Sequence, residues 1–300
     1  MRFGFHMFGF APSEFRDIAI ACDNSGWDHV AFGDNPFNPK VVSVKYDYSA
    51  DGERFWDLAT PVLDPWIAIT HMATVTKNLR FMPAVLRMAI RKPLMEGKMA
   101  CSVASIANDR LYVGLGLGWM PEEYKFTNEE MKTRGARLDE AIDILKLCLG
   151  GGFIEYHGKH YNFDSLIMEP HPKTKVPVYV GGYAEAAKRR AARKADGWIG
   201  LLHPFEEARQ IIADLNTWRK EYGREKEPFD VVLQCPDAIT VDDFKRLEDI
   251  GVTHAWVVPW APVKTNTDEG ISKMYDDDPP LQAKIDAIKR YGDQIVSKFV

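Results

Sequence analysis

Short apolar runs typical of β-strands alternate with helix-like segments along the whole chain, which constrains the fold more than any other feature. The strand candidates are Arg2 to Met7, His29 to Phe32, Leu79 to Met82, Leu111 to Leu115, Pro177 to Val180, Gly197 to Leu201, Asp230 to Gln234 and His254 to Val258. The helix candidates are Pro12 to Asn24, Pro65 to Val75, Pro93 to Ile106, Thr133 to Leu149, Glu185 to Ala195, Pro204 to Tyr222, Val241 to Asp249 and Pro280 to Ser297. Eight strands that each precede a helix predict an α/β fold, a closed (β/α)8 TIM barrel, with a doubly wound open sheet as the alternative.

Two connections are too long to be simple links. One runs from Gly33 to Asp64, and the other runs from Gly150 to Lys175 and has the pattern of a β-hairpin turned at Gly158. Insertions at the carboxyl ends of barrel strands usually form lids or pocket walls. Since no linker or repeat interrupts the pattern, we expect residues 1–300 to form a single domain.

Composition narrows the class of partner. A formal net charge of -5 and a pI near 5.9 argue against a nucleic-acid or anionic-membrane surface. No apolar run reaches 18 residues, so we expect a cytoplasmic protein that acts on a small molecule. The four cysteines are far apart, which favours buried thiols over disulfides or a metal cluster.

Two glycine-rich strand ends are the strongest candidates for a ligand site. The apolar strand at Leu111 runs into Gly114, Gly116 and Gly118, which indicates either close approach of a ligand or a crowded barrel interior. Gly181 and Gly182 separate a strand from a helix, a usual place for a phosphate. This second strand end favours the ligand interpretation of the first.

Polar residues at other strand ends are candidates for chemistry. Asp34 and Asn35 follow the second strand and either hydrogen-bond a ligand at the rim or form a turn. We expect both residues to be catalytic and to matter for turnover more than for folding. As exposed residues they would add little stability, so an Asp34→Ala protein would melt near the parent. His6 and His203 could exchange protons with a substrate or serve structural roles. Pro83 predicts a break in the third strand.

Aromatic residues could form the walls of a pocket for a planar ligand. The candidates are Trp56, Trp66 and Trp119, of which Trp119 stands directly after the glycine strand and is favoured. His157 and His160 flank the hairpin turn and lack a nearby carboxylate or cysteine, so no metal site is expected there.

Taken in order, several segments resemble the bacterial luciferase-like family of flavin and deazaflavin oxidoreductases. The likeness covers about the first 200 residues and is weak beyond Pro204. Within the family it is greatest to the branch that uses coenzyme F-420, an 8-hydroxy-5-deazaflavin, because of Gly118 to Glu123 and Ala50 to Trp56. The other matching segments are Gly26 to Asp28, Gly33-Asp34, Asp57 to Trp66, Asn108 to Trp119, Arg134 to Glu140, His157 to Phe163, Val180 to Gly182 and Arg193 to Trp198.

The resemblance implies where a cofactor would lie. It implies a TIM barrel, usually a homodimer, with a non-prolyl cis peptide at Ala84-Val85 behind the cofactor ring. It further implies ring contacts from Gly116, Leu117 and Gly118, and phosphate binding at Val180, Gly181 and Gly182. Many deazaflavin members carry a histidine at the position of Asn35 and a carboxylate at that of Trp119. Neither residue exchanges protons at neutral pH, so the family's proton donor is not expected at these two positions.

Three functions remain open from the sequence. The leading hypothesis is an oxidoreductase that transfers a hydride between reduced coenzyme F-420 and a small organic substrate. The second is a monooxygenase that uses reduced FMN and dioxygen. The third is a flavin-binding barrel without turnover.

Overall fold

The structure is a computed structural model that describes residues 1–46, 49, 51–54, 56–260 and 279–299. Positions 50 and 55, within one of the segments that carry the resemblance, lie outside the described residues. The strands are β1 (Arg2–Met7), β2 (His29–Phe32), β3 (Arg80–Pro83), β4 (Leu86–Arg87), β5 (Val113–Gly116), β6 (Phe153–His157), β7 (Asn162–Ile167), β8 (Val178–Gly181), β9 (Gly197–Gly200), β10 (Asp230–Leu233) and β11 (His254–Trp256). The helices are α1 (Phe15–Asn24), α2 (Pro65–Ala73), α3 (Pro93–Ile106), α4 (Pro121–Phe126), α5 (Arg134–Gly150), α6 (Glu185–Lys194), α7 (Phe205–Glu221), α8 (Val241–Asp249) and α9 (Leu281–Gln294).

A parallel sheet with helices around it forms the core of the fold. Its strand order is β3-β2-β1-β11-β10-β9-β8-β5-β4. β3 and β4 are two halves of one barrel strand, because β4 pairs with β5 while Phe81 in β3 bridges to Leu111 just before β5. The sheet thereby closes on itself as a (β/α)8 barrel, and the open-sheet alternative is wrong.

Most predicted elements appear within one or two residues of their expected bounds. The hairpin at Gly158 is confirmed as the antiparallel pair β6 and β7. Pro83 ends β3, as expected for a residue that cannot donate to the ladder. The short helix α4, directly after Trp119, was not predicted, and it positions a residue of the candidate site.

Two apolar layers hold the barrel together. A large cluster of buried side chains packs the helices against the outside of the sheet. A smaller cluster fills the barrel interior and includes Met82, Tyr179, Ile199 and Trp256. In the part of the chain that the structure describes, no helix is long and apolar enough to cross a membrane.

Candidate active site

A cavity of about 450 Å³ opens at the carboxyl ends of the barrel strands, the face where barrels of this type place their active sites. That volume is within the usual range for a small-molecule pocket. The residues that were predicted from the sequence and that line the cavity are His6, Asp34, Trp56, Ala84, Val85, Gly116, Leu117, Gly118, Trp119, Gly181 and Gly182. The cavity therefore brings together most of the predicted site.

Four predicted residues do not line the cavity. Trp66 is buried in the outer apolar layer, where its Nε1 donates to Glu96 Oε2 at 2.8 Å. Val180 is buried in the outer apolar layer, between sheet and helices. His203 is also buried; it packs against Tyr183 at 4.7 Å between ring centroids, and its Nδ1 lies 3.0 Å from Glu207 Oε1. The fourth is Asn35, whose Oδ1 accepts a hydrogen bond from Arg87 Nη1.

The glycines of β5 make room for a side chain of the protein. A Cβ atom at Gly116 would collide with Val85 Cγ2, and one at Gly114 would lie 2.5 Å from the Pro83 carbonyl oxygen. A Cβ atom at Gly181 would lie 2.9 Å from Val85 Cγ1. The crowded-interior interpretation is therefore correct for Gly114, and the neighbouring glycines let Val85 fill the space between β5 and β8.

The Ala84-Val85 peptide is cis, as the resemblance implied, and it places both residues on the cavity wall. The Ala84 carbonyl oxygen accepts a hydrogen bond from His6 Nε2 at 3.2 Å. Since a carbonyl only accepts, the neutral His6 ring carries its proton on Nε2 and leaves Nδ1 as an acceptor. Burial lowers the pKa of His6 to about 4, so the ring is neutral at pH 7.

Asp34 is not an exposed rim residue, which corrects the expectation from the sequence. It is 5% exposed, and its carboxylate accepts hydrogen bonds from Arg87 N at 2.8 Å, Arg91 Nε at 3.1 Å and Arg91 Nη2 at 2.7 Å. Asn35 accepts from Arg87 Nη1 at 3.1 Å and donates to Asn38 at 2.9 Å. Both residues therefore join the end of β2 to the segment around β4, and a simple turn does not describe them.

Arg87 and Glu123 form a buried ion pair that the sequence analysis missed. Glu123 comes from α4, is fully buried, and bonds Arg87 Nη1 through Oε1. Its Oε2 has no hydrogen-bond partner in the described part of the chain. Burial raises the pKa of Glu123 to about 7 despite the nearby guanidinium. The available signal was an arginine at a strand end, Arg87, in a barrel where such positions face the site.

Aromatic side chains form one wall of the cavity. Tyr46 contacts Trp56 and Trp119, with ring centroids 5.2 and 5.0 Å apart. Phe8 packs against the other side of Trp56 at 5.3 Å. Trp119 is half-buried and lines the cavity, as its position after the glycine strand predicted. This wall suits an apolar or aromatic ligand.

The opposite end of the cavity is cationic. Gly182, with φ of +136°, leads into α6, and the start of α5 lies against that helix, where Arg190 Nη2 donates to the Gly135 carbonyl at 3.3 Å. Arg134, the first residue of α5, and Arg190 both line the cavity. Arg190 pairs with Asp139 at 2.8 Å. For Arg134 the described residues supply no ion-pair partner, and its one hydrogen bond goes to the Met131 carbonyl at 2.9 Å. A helix N-terminus beside an unpaired arginine suits a phosphate.

Among the described residues, no group of three or more His, Cys, Asp or Glu side chains is placed to hold a metal ion.

Comparison with known proteins places these features in a family context. Residues 3–294 match the family described as luciferase-like monooxygenase. An uncharacterized protein of Mycobacterium tuberculosis (strain ATCC 25618 / H37Rv) is 33% identical over 284 residues, 94% of each chain. An F-420-dependent glucose-6-phosphate dehydrogenase of Nakamurella multipartita is 25% identical over 83% of this chain and 71% of its own length.

Solved structures share the fold at low sequence identity. A coenzyme F-420 dependent tetrahydromethanopterin reductase from Methanopyrus kandleri superposes with a TM-score of 0.73 at 14% identity, covering 100% of this chain and 99% of that one. The monooxygenase RslO1 from Streptomyces bottropensis gives a TM-score of 0.68 at 16% identity, covering 100% of both chains. Proteins named for either chemistry therefore share this barrel.

Proposed function

Because the chain belongs to the luciferase-like monooxygenase family, we propose that it is an oxidoreductase that transfers a hydride between coenzyme F-420 and a small organic substrate. The observation that carries this proposal is a single cavity lined both by the aromatic side chains of Trp56 and Trp119 and by the cationic Arg134 together with the glycines that precede α6. A ring with a phosphate-bearing tail has this distribution of apolar surface and charge. The relative named as F-420-dependent, aligned over 83% of this chain, supports the deazaflavin.

The residues of the cavity fit such a cofactor. Ala84, Val85 and the Gly116-Leu117-Gly118 backbone would support the ring, and Gly181, Gly182 and Arg134 would hold the phosphate. The deazaflavin, when bound, would supply the hydride chemistry, while the protein orients it and excludes water. Asp34 and Asn35, which the sequence analysis proposed as catalytic, would act by holding Arg87 and Arg91 in position.

FMN with dioxygen remains the second candidate. A relative named pyrimidine monooxygenase RutA, from Allorhizobium ampelinum, is 24% identical over 58% of this chain and 50% of its own length. Because a deazaflavin lacks the nitrogen chemistry that activates oxygen, substrate-dependent oxygen uptake with reduced FMN would favour this function. Binding of cofactor without turnover over a broad substrate panel would favour the flavin-binding barrel. The homodimer that the resemblance implies also stays a proposal, and light scattering on the purified protein tests it.

Arg134→Gln should weaken cofactor binding by about 10-fold or more, because a charge-assisted hydrogen bond to a phosphate is lost. Arg134 is a cleaner target than Gly181, where any side chain would also press on Val85. Fluorescence titration with coenzyme F-420 measures the effect. Lys132→Gln, an exposed neighbour, is the matched control and should bind like the parent. If both variants bound coenzyme F-420 with equal affinity, Arg134 would not contact the cofactor phosphate.

Trp119→Phe should alter substrate preference or KM while leaving cofactor affinity within about threefold, since a wall aromatic contributes contact area but exchanges no proton. Steady-state kinetics over several substrates measures the first effect, and the cofactor titration measures the second. Trp218→Phe, on α7 outside the cavity, is the control. Unchanged kinetics in the Trp119→Phe variant would show that the indole does not contact substrate.

A further inference from the structure

Arg87 presents an unused hydrogen-bonding edge at the cavity. It ends β4 and lines the cavity with a side chain that is 10% exposed. Its Nη1 is occupied by Glu123 Oε1 and Asn35 Oδ1. Within the described ranges, neither Nε nor Nη2 has a hydrogen-bond partner. Because Arg87 lines the cavity, these two donors are available to a ligand that enters it.

The unused edge has the geometry of a carboxylate receptor. Nε and Nη2 of an arginine point in parallel and match the two oxygens of a carboxylate. Glu123 and Asn35 fix the opposite side of the guanidinium, so this edge is held in place before a ligand arrives. Bidentate recognition by a fixed arginine favours a planar anion over a neutral amide or ester.

We propose that the Nε–Nη2 edge of Arg87 binds a carboxylate of the substrate, which makes the substrate a small organic acid. This inference rests on the proposed function, because it assigns the aromatic part of the cavity to the substrate and the cofactor ring. The two arginines belong to different elements: Arg134 begins α5, whose first turn contacts Arg190 of α6, whereas Arg87 ends β4. Tyr46, Trp56 and Trp119 offer an apolar surface for the body of such an acid.

The acidic groups around Arg87 do not oppose this assignment. Asp34 is neutralised by Arg91, with 2.7 Å between Oδ1 and Nη2. Glu123 has a pKa raised to about 7, chiefly by burial, with Asp34 and Glu122 raising it further and Arg87 opposing the rise. A substrate carboxylate bound to Arg87 would favour the protonated form of Glu123, because two negative charges would otherwise lie beside one guanidinium. The substrate carboxylate would then replace Glu123 as the counter-ion of Arg87. Binding should then tighten as pH falls through about 7.

Benzoate and benzamide test the inference because they share a shape and differ in charge. Titration of tryptophan fluorescence, without cofactor, should show that the parent binds benzoate about 10-fold or more tightly than benzamide. Arg87→Gln should abolish that preference, whereas the control Arg134→Gln, at the other cationic end, should retain it. Equal affinity of the parent for the two probes, or a preference that survives Arg87→Gln, would overturn the inference.

Glu123 variants separate binding from folding. Arg87→Gln leaves Glu123 buried without its cation, so the double variant Arg87→Gln/Glu123→Gln provides a charge-balanced protein that should also lack the preference. Glu123→Gln alone should keep the preference and lose its pH dependence. Loss of the preference in Glu123→Gln alone would assign the selectivity to Glu123 and contradict the proposal.

A parallel coenzyme F-420 titration distinguishes failure of this inference from failure of the proposed function. If the parent protein preferred benzoate to benzamide but did not bind coenzyme F-420, the proposed F-420-dependent function would be wrong, whereas the carboxylate site at Arg87 would still be supported.

Discussion

Asp34→Ala is expected to lower the free energy of unfolding by about 2–4 kcal/mol, because a buried N–H loses its acceptor and the Arg91 guanidinium loses one of its three carboxylate partners. The carboxylate binds Arg91 through two nitrogens and also accepts from the Arg87 backbone N–H. Its removal would leave Arg91 Nε and the buried Arg87 N–H without an acceptor, while Glu96 and Asp64 would still pair with the Arg91 guanidinium. Urea denaturation followed by circular dichroism measures the change.

An exposed aspartate provides the comparison for Asp34. Asp164 lies on the exposed hairpin strand β7, and Asp164→Ala should change stability by no more than about 0.5 kcal/mol. If Asp34→Ala also stayed within that range, the carboxylate would not be engaged as described. The original expectation of an exposed turn residue would then be correct.

Glu123→Gln should flatten the pH dependence of stability. The carboxyl has a folded-state pKa near 7 against an ordinary value of 4.5, so the folded protein binds this proton more tightly than the unfolded chain does. The group's contribution is therefore full below about pH 4.5 and is lost as pH rises through 7. The loss amounts to about 3 kcal/mol at most. Denaturation at several pH values between 4.5 and 8 measures it.

The difference in unfolding free energy between the parent and the Glu123→Gln variant separates the effect of Glu123 from that of His6, which also titrates. His6 has a pKa lowered to about 4 by burial, so its contribution falls as pH drops below 6.5, in the opposite direction. Both proteins contain His6, and subtraction removes its effect. Glu155→Gln, on the exposed face of β6, should keep the parent's profile. A Glu123→Gln profile parallel to the parent's would show that this carboxyl titrates normally.

The barrel could be predicted from the sequence because its signals are local. Alternation of strand and helix patterns, the break at Pro83 and the hairpin at Gly158 each depend on residues close together in the chain. The positions lining the cavity followed from strand ends, since a parallel barrel gathers those ends on one face. The cis bond at Ala84-Val85 came from the family resemblance alone.

The electrostatics of the site could not be predicted in this way. Asp34 and Arg91 form a contact although they are 57 positions apart in the sequence, and Glu123 and Arg87 are 36 positions apart. Neither pair leaves a periodic signal. Whether Gly116 faces a ligand or a neighbouring side chain depended on where Val85 lies, which only the closed barrel determines.

The most direct test of the central claim is a side-by-side titration of the parent protein with purified coenzyme F-420 and purified FMN, followed by fluorescence. We expect coenzyme F-420 to bind more tightly than FMN, and the Lys132→Gln control to show the same difference in affinity. Equal or tighter binding of FMN would contradict it.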